Sequence, residues 1–118
     1  MLTLLEKQQF FSEFLARFLV DLKTRGYKVT LGEAYRPSGI AQVYASTGAG
    51  IIHSNHIIRL AIDLNVFYDD KFLESKEELL IVGTLWKSYS TDLIECSWGG
   101  DFSRTDADHF SFSHNGVR

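Results

Sequence analysis

Residues 59–67, RLAIDLNVF, repeat with a period of two, which is the period of a pleated strand. Leu60, Ile62, Leu64 and Val66 fall on one face, and Ala61, Asp63, Asn65 and Phe67 on the other. The first face is core. The second carries a carboxylate and an amide, and burying an unpartnered carboxylate is costly, so this face opens on a cleft or on solvent. Whatever the chain folds into, one side of this strand must stay accessible and Asp63 must find a partner.

Two helices are expected to supply the packing. Thr3 and Glu6 form a T-x-x-E capping box, and the stripe Phe11, Phe14, Leu15, Phe18, Leu19 and Leu22 that follows is the apolar face of a long amphipathic helix ended by Gly26. A later helix is expected over ESKEELLIVGTLWKSY, with Leu79, Leu80, Val82, Gly83 and Trp86 on its packed face. Tyr27 to Leu31 alternates and reads as a strand. Pro37 suits the first turn of a short helix over SGIAQVYAS. TGAG (residues 47–50) is a loop without the spacing or lysine of a phosphate-binding loop. YDDK is a turn, and HFSFS alternates like a short final strand.

The 118 residues suit one domain spanning 1–118. A net charge of −3 without a Lys/Arg cluster argues against nucleic acid as a partner. Cys96 is the single cysteine. It has no disulfide mate and cannot build a thiolate metal site, so it is expected in the core and any metal must be held by His, Asp or Glu. Glu6 and Lys7 interrupt the N-terminal apolar residues, so neither a signal peptide nor a membrane-spanning run is expected. That pattern suits synthesis in a cytoplasm.

Two polar clusters stand out: His56 with Asp63, and Asp106 with His109. A catalytic zinc ion takes three protein ligands and keeps one position for water. Two imidazoles and one carboxylate meet that need, and a further carboxylate can accept the proton of the attacking water. His56, Asp63 and His109 fit as ligands and Asp106 as base, although spacing leaves His53 and His114 open as substitutes. The same residues admit plain readings: His56 bonded to a loop, Asp63 paired with Arg36 or Arg59, and Asp106 and Asp108 as solvated charges.

SNHIIRLAIDL resembles the S-x-H-x6-D motif of the M15 zinc peptidases, and DADHF resembles their D-x-x-H-F motif. WGGDF is similar to the W-G-G-D-[WF] segment of phage members, and EAYRP to a strand-end Y-R element ahead of a helix. The four elements keep the family's order from Glu33 to Phe110. Two departures stand beside them: Arg59 where the motif often has glycine, and SGI after Pro37 where many relatives carry Glu-Gln.

The resemblance implies a small α+β domain of the Hedgehog/DD-peptidase-like kind, with helices packed on an antiparallel sheet and a zinc site in its cleft. It implies one Zn2+ per chain on His56, Asp63 and His109, Asp106 as catalytic carboxylate, Arg36 as catalytic and substrate-binding arginine, and Ser54 as a supporting or substrate contact. Asp106 at the base position matches phage endolysins similar to L-alanyl-D-glutamate endopeptidases, where many D-alanyl-D-alanine carboxypeptidases have glutamate. The implied partner is the peptidoglycan stem peptide, cut by a monomer that inserts in no membrane and reaches the wall or periplasm after release. The competing readings are a D-alanyl-D-alanine carboxypeptidase, and a non-catalytic wall-binding or phage structural relative.

Overall fold

In the computed structural model, which describes residues 1–48 and 54–118, helix α1 (Leu4–Thr24) begins at the expected capping box: Thr3 Oγ1 accepts from Glu6 N and Glu6 Oε1 accepts from Thr3 N. Strand β1 (Tyr27–Leu31), helix α2 (Ser38–Thr47), strands β2 (Ala61–Tyr68) and β3 (Lys71–Leu73), helix α3 (Leu80–Lys87), and strands β4 (Cys96–Trp98) and β5 (His109–Phe112) follow. The sheet is antiparallel, in the order β1-β2-β5-β4, with β3 also paired to β2. Because β1 and β3 both pair with Val66–Tyr68, they lie on opposite edges of β2. Of the expected TGAG loop, Thr47 and Gly48 are the last turn and cap of α2, and the remainder lies outside the described residues.

Helices α1 and α3 cover one face of the sheet, as the alternation of β2 requires. Ile62, Leu64 and Val66 are buried against Phe11, Phe18 and Leu22 of α1 and Val82 and Trp86 of α3, while Asp63, Asn65 and Phe67 keep partial exposure on the other face. Trp86 stacks on Phe112 and receives the Phe11 edge, and its Nε1 donates to the Ser97 and Ser111 carbonyls. The indole therefore seals the core without leaving a buried donor unpaired. Cys96 belongs to this core, where burial pushes its thiol up to about 12. No described helix is long and apolar enough to cross a membrane.

Three details differ from the sequence expectations. The regular part of α3 starts at Leu80, because residues 76–79 form turns rather than continuous helix. Leu80 does not join the packed face and is half exposed, since the packed set Leu79, Val82, Gly83 and Trp86 keeps the 3-4-7 spacing and Leu80 falls off that stripe. The YDDK turn is a hairpin: Asp69 and Asp70 both have positive φ, 52° and 61°, which turns the chain directly into the unexpected strand β3.

Ser75 and Glu78 form a second capping arrangement that the sequence reading passed over. Glu78 N donates to Ser75 Oγ, while Ser75 N donates to Glu78 Oε1. The Lys71 ammonium and the Glu74 and Ser75 amides hold the Glu78 carboxyl at about 2 against an ordinary 4.5. A depressed carboxylate contributes stability above its unfolded pKa and loses it as pH falls through the folded one. Glu78→Gln is therefore expected to lower Tm at pH 6, with the difference from wild type shrinking from pH 4.5 down to about 2. An equal difference at both ends of that window would contradict the assignment.

Gly83 sits where α3 meets β4, and a Cβ there would overlap the Trp98 ring. Helix propensity favours alanine over glycine by about 1 kcal/mol, but overpacking costs about 1–3 kcal/mol. Gly83→Ala is expected to lower the denaturant midpoint, the reverse of what propensity alone gives.

Candidate active site

The register of β2 against β5 brings two of the singled-out residues together. Asp63 is the direct cross-strand partner of His109, and both side chains stand on the face away from α1 and α3 because Ile62 and Phe110, one step along each strand, are in the core. Asp63 Oδ1 lies 3.6 Å from His109 Nδ1. The stretch after β1 runs along the other side of Asp63, whose N donates to Glu33 O and whose O accepts from Gly32 N. Asp63 is thus fixed from both flanks.

His56 enters from the loop ahead of β2. Ser54 Oγ accepts from His56 N, and Asn55, fully buried, donates from Nδ2 to the Phe112 and Val117 carbonyls. The His56 ring donates from Nδ1 to Ala34 O at 2.9 Å, which turns Nε2 toward Asp63 Oδ1 at 3.2 Å. That tautomer leaves the inward nitrogen as an acceptor, the state a metal ligand needs. Ser54 lines the cleft, but its hydroxyl serves the His56 backbone.

His56 Nε2, Asp63 Oδ1 and His109 Nδ1 belong to a donor group whose atoms all lie within 4.8 Å of one another. Ligands about 2.1 Å from a tetrahedral centre stand about 3.4 Å apart, and the 3.2 Å and 3.6 Å separations match. Asp63 Oδ1 is buried with no hydrogen-bond partner among the described residues. A shared cation would satisfy it, so the residues fit a metal ion. Burial opposes charge on His56, yet the Asp63 carboxylate raises its pKa above the usual imidazole value. Burial likewise opposes charge on Asp63, and the His109 and His56 imidazoles beside it outweigh it, holding the carboxyl at about 2.

The remaining candidates separate. Asp106 Oδ2 is 3.9 Å from His109 Nδ1, with its side chain about half exposed at the cleft. Arg36 also lines the cleft, and its Nε donates to Glu33 Oε1 at 2.6 Å while its guanidinium lies over the Tyr44 ring. Arg36 therefore does not pair with Asp63. Neither does Arg59, which stacks on Tyr35 at 3.9 Å. Arg59 has φ 58°, a left-handed conformation natural to glycine, so the departure from the motif glycine carries a backbone cost. His114 is tied to Lys7 instead of the donor group, and His53 lies outside the described residues.

Asp108, which reads in sequence as a solvated loop charge, is instead partly buried beside Asp63 and Asp106. Burial, the Asp106 hydrogen bond and the neighbouring charges push its carboxyl up to about 7. No spacing signal marks it, because its position depends on how the loop folds back. The loop is held by the Trp98-Gly99 pair: Trp98 Nε1 donates to Ala107 O at 2.7 Å, and Gly99 O accepts from Asp106 N at 2.9 Å. A Cβ on Gly99 would overlap the Asp106 carbonyl and lie 2.9 Å from His109 Cβ.

The family model described as D-alanyl-D-alanine carboxypeptidase, of the M15 peptidases, matches residues 47–112, and the chain belongs to this family. Among solved structures it is similar to the Serratia marcescens L-Ala D-Glu endopeptidase ChiX, with a TM-score of 0.66, 15% identity, and coverage of 86% of this chain and 79% of that one. The likeness shows that the two share a fold. A comparison with curated proteins finds no match.

Because Gly99 admits no side chain, Gly99→Ala should displace Asp106 and His109 together. Zinc affinity, measured by chelator competition, is expected to fall by about 10–100-fold, the usual scale for groups that orient ligands. An unchanged affinity would remove Gly99 from the support of this site.

Proposed function

We propose that the chain is a zinc-dependent peptidase that hydrolyses an amide bond in the peptidoglycan stem peptide, of the L-alanyl-D-glutamate endopeptidase type found in phage or prophage endolysins. The observation that carries this reading is the convergence of His56 Nε2, Asp63 Oδ1 and His109 Nδ1 behind a cleft of about 580 Å3 that His56, His109 and Asp106 line. Family membership supports the peptidase class, and the Asp-x-x-His form of the Asp106 motif favours the endopeptidase bond.

His56, Asp63 and His109 would hold the ion. Bound zinc supplies a Lewis acid for the scissile carbonyl and lowers the pKa of its water toward neutrality. Asp106 takes the proton from the attacking water and returns it to the leaving amine. Arg36, steadied by Glu33, offers its guanidinium to the developing oxyanion or to a substrate carboxylate. Ser54 and the Ala34 carbonyl hold His56 in its working orientation. A second reading, D-alanyl-D-alanine carboxypeptidase, is favoured by the description of the matching family model.

Purified protein is expected to cleave stem peptides, to lose that activity to a chelator and to regain it with zinc. Asp106→Ala should retain zinc yet lose turnover by about 10^2-fold or more. An Asp106→Ala protein as active as wild type would exclude Asp106 as the base. Mass spectrometry of the products separates the two bonds, since only the carboxypeptidase releases free D-alanine. Failure to bind zinc near one equivalent would favour a non-catalytic relative.

A further inference from the structure

Three guanidinium groups line the cleft of a chain whose net charge is −3: Arg36, Arg104 and Arg118. Arg36 is engaged by Glu33, and Arg104 Nη2 donates to Gly48 O at 2.9 Å. Arg118 differs from both. Its guanidinium carbon lies 4.6 Å over the Phe102 ring, and among the described residues it pairs with no carboxylate. A guanidinium laid against a ring face keeps its in-plane N–H donors for another partner, in the fork that matches a carboxylate.

Phe102 in turn packs on the His109 imidazole, with ring centroids 5.3 Å apart. The two distances, 4.6 Å and 5.3 Å, place the Arg118 guanidinium within about 10 Å of the His109 ring. An extended peptide advances about 3.3–3.6 Å per residue, so that span corresponds to at most about three residues. Phe102 supplies the floor of this part of the cleft, and Arg118 supplies the charge at its rim.

We infer that Arg118, seated on Phe102, is a specificity residue that binds a carboxylate of the substrate lying within about three residues of the bond cut. The inference rests on the peptidase reading above and adds to it the substrate group that is selected. A neutral peptide, or one with this carboxylate amidated, loses the contact and binds more weakly. Arg104, whose guanidinium is partly used by Gly48, is not required for the selection.

The test uses the zinc-loaded full chain carrying Asp106→Ala, so that turnover does not blur binding, with L-Ala-γ-D-Glu-L-Lys and its fully amidated form, in which the D-Glu α-carboxylate and the C-terminus are both carboxamides, as probes in calorimetry. The free acid is expected to bind about tenfold more tightly than the amide, the scale of one charge-assisted hydrogen bond. Adding Arg118→Ala should abolish that preference, Arg118→Lys should restore part of it, and Arg104→Ala should leave it in place. Equal affinity for acid and amide, or a preference that survives Arg118→Ala, overturns the inference. Failure of the peptidase reading is read separately, as a chain with Asp106 intact that leaves both peptides uncut on prolonged incubation.

Discussion

Everything at the cleft depends on the pairing of Asp63 with His109 across β2 and β5. These residues are 46 positions apart in the chain, and only the antiparallel register makes them neighbours. A slip of one residue would send His109 into the core and bring Phe110 to the cleft. The register is held by what lies on the other face. Ile62, Phe110 and Trp98 stand in one cross-strand row beneath the helices, and none of the three can be turned outward without losing its burial.

The rest of the site is attached to that pair by backbone hydrogen bonds and a few buried side chains. Asn55 ties the His56 loop to Phe112 O at the end of β5, so the loop is fixed to the strand that carries His109. Trp98 joins core to chemistry directly: one side of its ring packs on Gly83 of α3, and its indole N–H holds Ala107 between Asp106 and His109. Gly99 then lets the Asp106 carbonyl approach the strand end closely. The W-G-G segment therefore works as the mount for the Asp-x-x-His loop, a role that its sequence does not state.

The local periodicities were legible. The α1 stripe, the Thr3 cap and the two faces of β2 follow from spacing alone, and they gave Asp63 its direction. The non-local features were not. Strands β3 and β4 have three residues each, too few to display a period, and they exist only because β2 and β5 offer edges to pair with. Spacing left His114 open as a substitute ligand, and only the fold sends it to Lys7. Asp108 looked like a solvated charge because nothing local reveals that its loop returns over Asp63.

The central claim is that His56, Asp63 and His109 hold one zinc ion together. X-ray absorption at the zinc edge of the loaded protein tests it most directly. The account predicts a shell of two imidazole nitrogens and carboxylate oxygen at about 2.0–2.2 Å, and one imidazole fewer in His109→Ala. A zinc shell that His109→Ala leaves unchanged would contradict it.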